Sequence, residues 1–287
     1  MSRAISTVVD VTIFLLFVGA AAAALVGAGG LEPPSPGNPA AESAELLATS
    51  TTTVEYSVKP PADPPDWTTD PAASRGRTAH GTLAELLGEA AMSAVRVNGT
   101  RVSTAGTGFE AAVANSTRTR LGEPGRRHAV RVRWEPYRNA PVNATMRVGE
   151  HPPPSADVQA ATLTVASPIA VSTPDRTADR GYEGVARELA ASVVTGLFPP
   201  RQSQLALDGD YPSNQLTSHR YRRMATLTGA GELSPDSTGA RALNAELTAA
   251  LAATFERDMR ERFDSPTAAP GSVRAGRITI TVRTWSV

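Results

Sequence analysis

The side chains able to do chemistry are few and scattered. His80, His128, His151 and His219 stand far apart, and no pair has the His-to-His spacing of a metal enzyme such as H-E-x-x-H. Asp208 and Asp210 in "LDGDYPSN" come nearest to a calcium loop. The further acidic ligands are missing and a proline turn follows, so an ordinary acidic turn is expected. "SHRYRRM", residues 218–224, gathers three arginines and a tyrosine. That set suits an anionic headgroup, a glycan acid or a phosphate; the plainer reading is a solvated helix face. No G-x-S-x-G elbow, phosphate-binding glycine loop or dinucleotide fingerprint occurs, and Lys59 in a Pro-rich stretch makes a poor catalytic base. A non-catalytic protein without metal or cofactor is expected.

Composition narrows the classes further. The 28 basic and 28 acidic side chains balance, so no large field steers the chain to nucleic acid, and no nucleic-acid partner is expected. Lys59 is the one lysine, all other basic residues being arginine. The absence of cysteine excludes disulfides, thiolate metal sites and a thiol nucleophile. Aromatics make up 5% of residues, which calls for a core of small aliphatics with a few bulky anchors.

From Val11 to Gly30 there is no charge. At 1.5 Å per residue that run makes about 30 Å of helix, the thickness of a bilayer's hydrocarbon core. Arg3 precedes it, whereas Glu32, Glu42 and Glu45 follow with no basic residue before Lys59. The positive-inside rule then places the N-terminus in the cytoplasm and the rest of the chain outside, on a single-pass membrane protein. The rival is a cleaved secretory signal, for which Ala22/Ala24 or Val26/Ala28 would supply the small residues at the cut. Asn98, Asn115 and Asn143 head three N-glycosylation acceptor patterns, "NGT", "NST" and "NAT", which fit an outer domain; the plainer reading is three surface turns.

The stretch "RAISTVVDVTIFLLFV" resembles the class III signal and hydrophobic segment of archaeal type IV pilin-like membrane proteins, haloarchaeal ones included. The resemblance implies that Arg3 and Ala4 are recognised by a prepilin peptidase, that cleavage falls between Ala4 and Ile5, and that the apolar helix stays on the mature protein. It also implies other pilin-like subunits as partners. Asp10 is then an acid at the membrane interface, held among the cytoplasmic headgroups or paired with the amine freed on Ile5. The Ala20–Ala24 run offers a surface that another helix can approach closely.

The rest of the chain must be the outer domain. The sequence divides into a signal and transmembrane helix at 1–30, a Pro-rich stalk at 31–44 and an extracytoplasmic domain at 45–287. "TTTVEYSV" alternates as a strand does, and "KPPADPPDWTTDPAASRGR" reads as an irregular connection. Thr82 with Glu85 forms a capping-box pattern ahead of a helix over 83–95, and a weaker helix runs from Phe109 to about Arg118. "HAVRVRWEP", "VNATMRVG", "QAATLTVAS" and the closing "GRITITVRTWSV" read as strands. Val185, Leu189, Val193 and Leu197 mark a helix ended by Pro199 and Pro200; Leu243, Leu247, Leu251, Phe255 and Met259 mark another. The order predicts an α+β fold: an N-terminal transmembrane helix, then an antiparallel sheet with helices packed mainly on one face. Together these readings point to a membrane-anchored pilin-like structural or accessory protein of a surface filament or secretion system. A single-span anchored envelope binding module without filament assembly is the alternative.

Overall fold

A computed structural model describes residues 37–58, 76–170 and 181–286. Its first element is a helix, α1, at Pro39–Thr49. An extended stalk to residue 44 was the expectation, but Asn-Pro at this point is a helix start: Asn38 accepts from the backbone N–H of Ala40 and Ala41 at 3.0 and 3.2 Å, and Pro39 occupies the first turn. Ala40, Ser43, Ala44 and Leu47 are buried, so the folded unit begins here and not at residue 45. No helix among the described residues is long and apolar enough to cross a membrane, and the run Val11–Gly30 lies outside them.

Strands β1, Thr51–Ser57, and β2, Gly76–Thr82, pair antiparallel. β2 reads "GRTAHGT", with no apolar alternation to betray it. It exists because β1 offers it a partner. Helix α2, Leu83–Ser93, opens on the predicted capping box: Thr82 Oγ1 accepts from Glu85 N–H at 3.2 Å, and Glu85 Oε2 accepts from Thr82 N–H at 2.9 Å. Short β3, Arg96–Val97, and β4, Thr100–Arg101, follow, then α3, Thr107–Leu121.

Strands β5, Arg126–Trp134; β6, Val142–Gly149; β7, Gln159–Ala166; and β8, Arg277–Ser286, complete a six-stranded sheet ordered β4-β3-β6-β5-β8-β7 and antiparallel throughout. Period-two alternation gives it two unlike faces. Val130, Val132 and Trp134 share a face with Ala144, Met146 and Val148 of β6 and Ile278, Ile280 and Val282 of β8, all buried. Helices α1, α2 and α3 cover that face: α1 lies on β7 and β8, α2 crosses β5 to β8, and α3 meets β6. The backbone of α2 comes close at Gly88, where an added Cβ would stand 3.0 Å from Val165 and 3.2 Å from Ile278.

The chain between β7 and β8 forms a helical unit: α4, Gly181–Leu197; α5, Pro200–Leu207; α6, Ser213–Thr228; α7, Ala240–Arg262; and α8, Ala268–Ser272. Pro199 and Pro200 end α4 as predicted, yet Pro200 also sits in the first turn of α5, where a proline costs no hydrogen bond. Leu243, Leu247, Leu251, Phe255 and Met259 are fully buried along α7, which packs chiefly on α4. The unit joins the end of the sheet through Tyr137, just beyond β5, whose ring meets Phe255 and Phe263 edge-on at 5.7 and 6.0 Å. Trp134 adds a hydrogen bond from Nε1 to the Ala275 carbonyl at 2.7 Å. A single hydrophobic cluster therefore runs from the sheet into the helices.

Candidate functional site

Arg3, Ala4 and Ile5, expected at a peptidase cut, and Asp10, expected at the membrane interface, lie outside the described residues. The three acceptor asparagines are within them and in unlike settings. Asn98 is exposed in the two-residue turn between β3 and β4, with φ 48° followed by Gly99 at φ 79°, the left-handed pair that an Asn-Gly hairpin favours. Asn115 is exposed on α3, its Oδ1 accepting from Arg118 at 2.7 Å, but Thr117 of the same pattern is fully buried and donates to the Val113 carbonyl. Asn143 is half-buried within β6, opposite Arg96. Asn98 and Asn115 are therefore exposed and Asn143 is not.

"SHRYRRM" falls on α6 with Ser218, Tyr221 and Met224 buried and Arg222 exposed, so it is more than a solvated face. Tyr221 is fully buried; it donates to Asn244 Oδ1 at 2.8 Å, and Asn244 in turn donates to the Phe198 carbonyl at 2.7 Å. Arg220 donates to the Leu197 carbonyl at the end of α4 and lies 5.1 Å from the Phe198 ring centroid. The negative end of α4 stands in for a carboxylate, because the last carbonyls of a helix lack intrahelical donors. Arg222 is paired with Asp236. The motif knits α6 to α4 and α7.

Among the described residues no three His, Cys, Asp or Glu side chains are grouped to hold a metal ion. Asp208 accepts from Gln204 in an ordinary turn, and His80 Nδ1 lies 2.9 Å from Thr53 Oγ1 across the hairpin. Burial lowers the pKa of His128 and of His219, with neighbouring arginines adding to the effect. Burial, then the Asp258 carboxylate, drives the Tyr137 phenol far above its ordinary range; wedged between Phe255 and Phe263, it is a packing residue. Two surface depressions among the described residues, one along Val273–Arg277 and one between Arg201, Leu205 and Arg241, gather no set of catalytic groups.

The concentrated chemistry lies on the other face of the large sheet. The register sets Arg147 of β6 opposite Arg131 of β5, which in turn faces Thr281 of β8 and, beyond it, Thr162 of β7. The next row is Thr145, Arg133, Thr279 and Thr164. Arg283 stands diagonally from Arg131, Arg127 opposite Trp285, and Arg277 ends the row of β8. Strands β5 to β8 contain no Asp or Glu. Arg133 is paired with Glu135 at 2.6 Å, just beyond β5. Arg127, Arg131, Arg147, Arg277 and Arg283 are exposed, and none is in an ion pair among the described residues. Like charges directly across an antiparallel pair repel. The alternation of Arg131 and Arg133 with valines is visible in the sequence; counting carboxylates strand by strand would have exposed the rest.

No curated protein and no solved structure is detectably similar to the chain. Over residues 9–285 it matches a family of unknown function, DUF7284, and a match of that extent makes it a member of that family.

Proposed function

We propose that this chain is a membrane-anchored, extracytoplasmic pilin-like protein, a non-catalytic structural or accessory subunit of a surface filament or secretion system. The observation that carries the reading is the nearness of two unlike parts. The uncharged run ends at Gly30, and a folded α+β domain begins at the Asn38 cap, with seven residues, 31–37, between them. Seven residues span at most about 25 Å when fully extended. Such a tether holds the domain against the membrane surface. The match over residues 9–285 supports it, since it takes in the apolar run and the folded domain together.

In this reading Arg3 and Ala4 are read by a prepilin peptidase on the cytoplasmic side, cleavage frees the amine of Ile5, and Asp10 pairs with that amine or stays among the headgroups. The helices on the apolar face of the sheet belong to the outer side of the cell. N-terminal sequencing of the mature, membrane-fractionated protein tests it. A start at Ile5 supports the proposal, and Ala4→Leu should then accumulate uncut. A start at Met1, or beyond Ala24, overturns it in favour of a plain anchor or a secreted domain.

A further inference from the structure

The arginine face has a counterpart on the opposite side of the same layer. Helices α1 and α2 touch each other above the apolar face of the sheet and contain no basic residue. In α1 the buried positions Ala40, Ser43, Ala44 and Leu47 form one stripe, and Glu42 and Glu45 lie on the far side of the helix, exposed. In α2 the same geometry turns Glu85 and Glu89 outward from Leu83, Leu86, Leu87 and Ala90. None of the four carboxylates is in an ion pair among the described residues. On neighbouring α3, Arg118 and Arg120 donate to Asn115 and Ser50, and Glu110 is taken by Arg101 at 2.7 Å.

The layer is therefore polar across its thickness: exposed arginines on the sheet, exposed glutamates on the helices behind it, in a chain whose total charge is zero. Among the described residues, such an arrangement leaves both surfaces uncompensated. A second copy supplies the missing charge on either side.

We propose that copies of this chain stack head to tail, the Arg131–Arg147–Arg283 face of one sheet seated on the Glu42–Glu45–Glu89 face of the next molecule. The two surfaces are different and lie on opposite sides, so the contact is heterologous, and repeating it extends a row and does not close a twofold dimer. Four strands about 4.8 Å apart and about eight residues long present roughly 500 Å². That is a small interface by the standard of stable complexes, so the contact is weak between free molecules. Anchoring in one membrane raises the effective concentration and makes a weak, charge-guided contact sufficient. The inference rests on the pilin-like reading for its biological setting, although the charge arrangement is a property of the folded domain alone.

The test uses the full chain in mild detergent, with sedimentation velocity as the readout. One variant carries Arg131→Glu, Arg147→Glu and Arg283→Glu; the other carries Glu42→Lys, Glu45→Lys and Glu89→Lys, sparing Glu85 because it caps α2. Wild type should self-associate at low salt and lose the association as salt rises. Each variant alone should associate at least about tenfold more weakly, and an equimolar mixture should recover to within about threefold of wild type, because each variant then meets an oppositely charged face. Circular dichroism confirms that both variants keep the fold; if either fails, Arg147→Thr with Arg283→Thr and Glu42→Gln with Glu45→Gln replace them, and each pair should weaken association. Unchanged association in the variants, or a mixture that stays monomeric, overturns the stacking. So does an arginine face that binds phosphatidylglycerol vesicles while the chain remains monomeric. N-terminal sequencing of the same sample separates the two readings: a start at Ile5 with failed stacking leaves the pilin-like assignment standing, and stacking without that start does the reverse.

Discussion

The helical unit and the sheet layer handle charge in opposite ways. Along the helices, acids and arginines alternate at four-residue spacing and close on each other: Glu183 with Arg187, Glu256 with Arg260, Asp258 with Arg262. The sheet layer also has pairs, Arg101 with Glu110 and Arg133 with Glu135, but the exposed arginines of β5, β6 and β8 and the glutamates of α1 and α2 are sorted to opposite surfaces, with Arg131 set directly against Arg147. Pairing within one helix leaves nothing for a partner to satisfy. Sorting does the reverse: it costs the folded monomer some repulsion and leaves two complementary surfaces exposed.

The comparison breaks most visibly if the two regions do not fold together. Phe255→Ala removes the aromatic that Tyr137 meets at 5.7 Å and should cost about 3–5 kcal/mol, by large-to-small substitution in a core. Denaturant curves followed by tryptophan fluorescence and by far-ultraviolet circular dichroism should remain superimposed, since one hydrophobic cluster joins both regions. Two separate transitions would mean that sheet layer and helical unit are independent.

Tyr221→Phe tests how the helical unit satisfies its buried polar groups. It removes the donor to Asn244 Oδ1 and should cost about 1–2 kcal/mol in equilibrium unfolding. Thr82→Ala, which opens the capping box of α2, should cost about 1 kcal/mol.

The sharpest contrast has a small size and a difference in sign. Arg187→Ala should destabilise by about 0.3–0.5 kcal/mol, because it breaks an i,i+4 pair. Arg131→Thr should leave stability unchanged or raise it by up to about 0.5 kcal/mol, because it removes a like charge facing Arg147. Equal losses at both sites would erase the distinction.

The smallest effect concerns pH. Burial, then Arg126, lowers the pKa of His128 in the folded state, so the unfolded chain takes up its proton first as pH falls. Stability from this group is complete above about pH 6.5 and declines as pH drops below that value towards the folded pKa. His128→Gln should flatten the unfolding free energy measured between about pH 7 and 5 relative to wild type.

What could be read in the sequence followed from local physics. The capping box announced α2, period-two alternation announced β5, β6 and β8, and steps of four announced α7. Where local signals were mixed, the reading failed. The prolines of residues 31–44 suggested an extended stalk, but Pro39 behind Asn38 begins α1, because a proline in the first turn has no hydrogen bond to lose. β2 and α5 lack apolar alternation strong enough to declare themselves and are held by their neighbours, β1 for the strand and α6 and α7 for the helix.

The sequence by itself determined the mixed α+β class, the unbroken apolar run before it and the balance of 28 charges of each sign, since these depend on composition and on periods of a few residues. It did not determine where those charges meet. Arg147 faces Arg131 across neighbouring strands, and β8 brings Arg283 beside them from more than a hundred residues away. "SHRYRRM" likewise changed meaning once α4 placed its C-terminal carbonyl beneath Arg220 and α7 set Asn244 against Tyr221. Pairing across a sheet and between helices is long-range, and only the tertiary structure decides which side chains share a face.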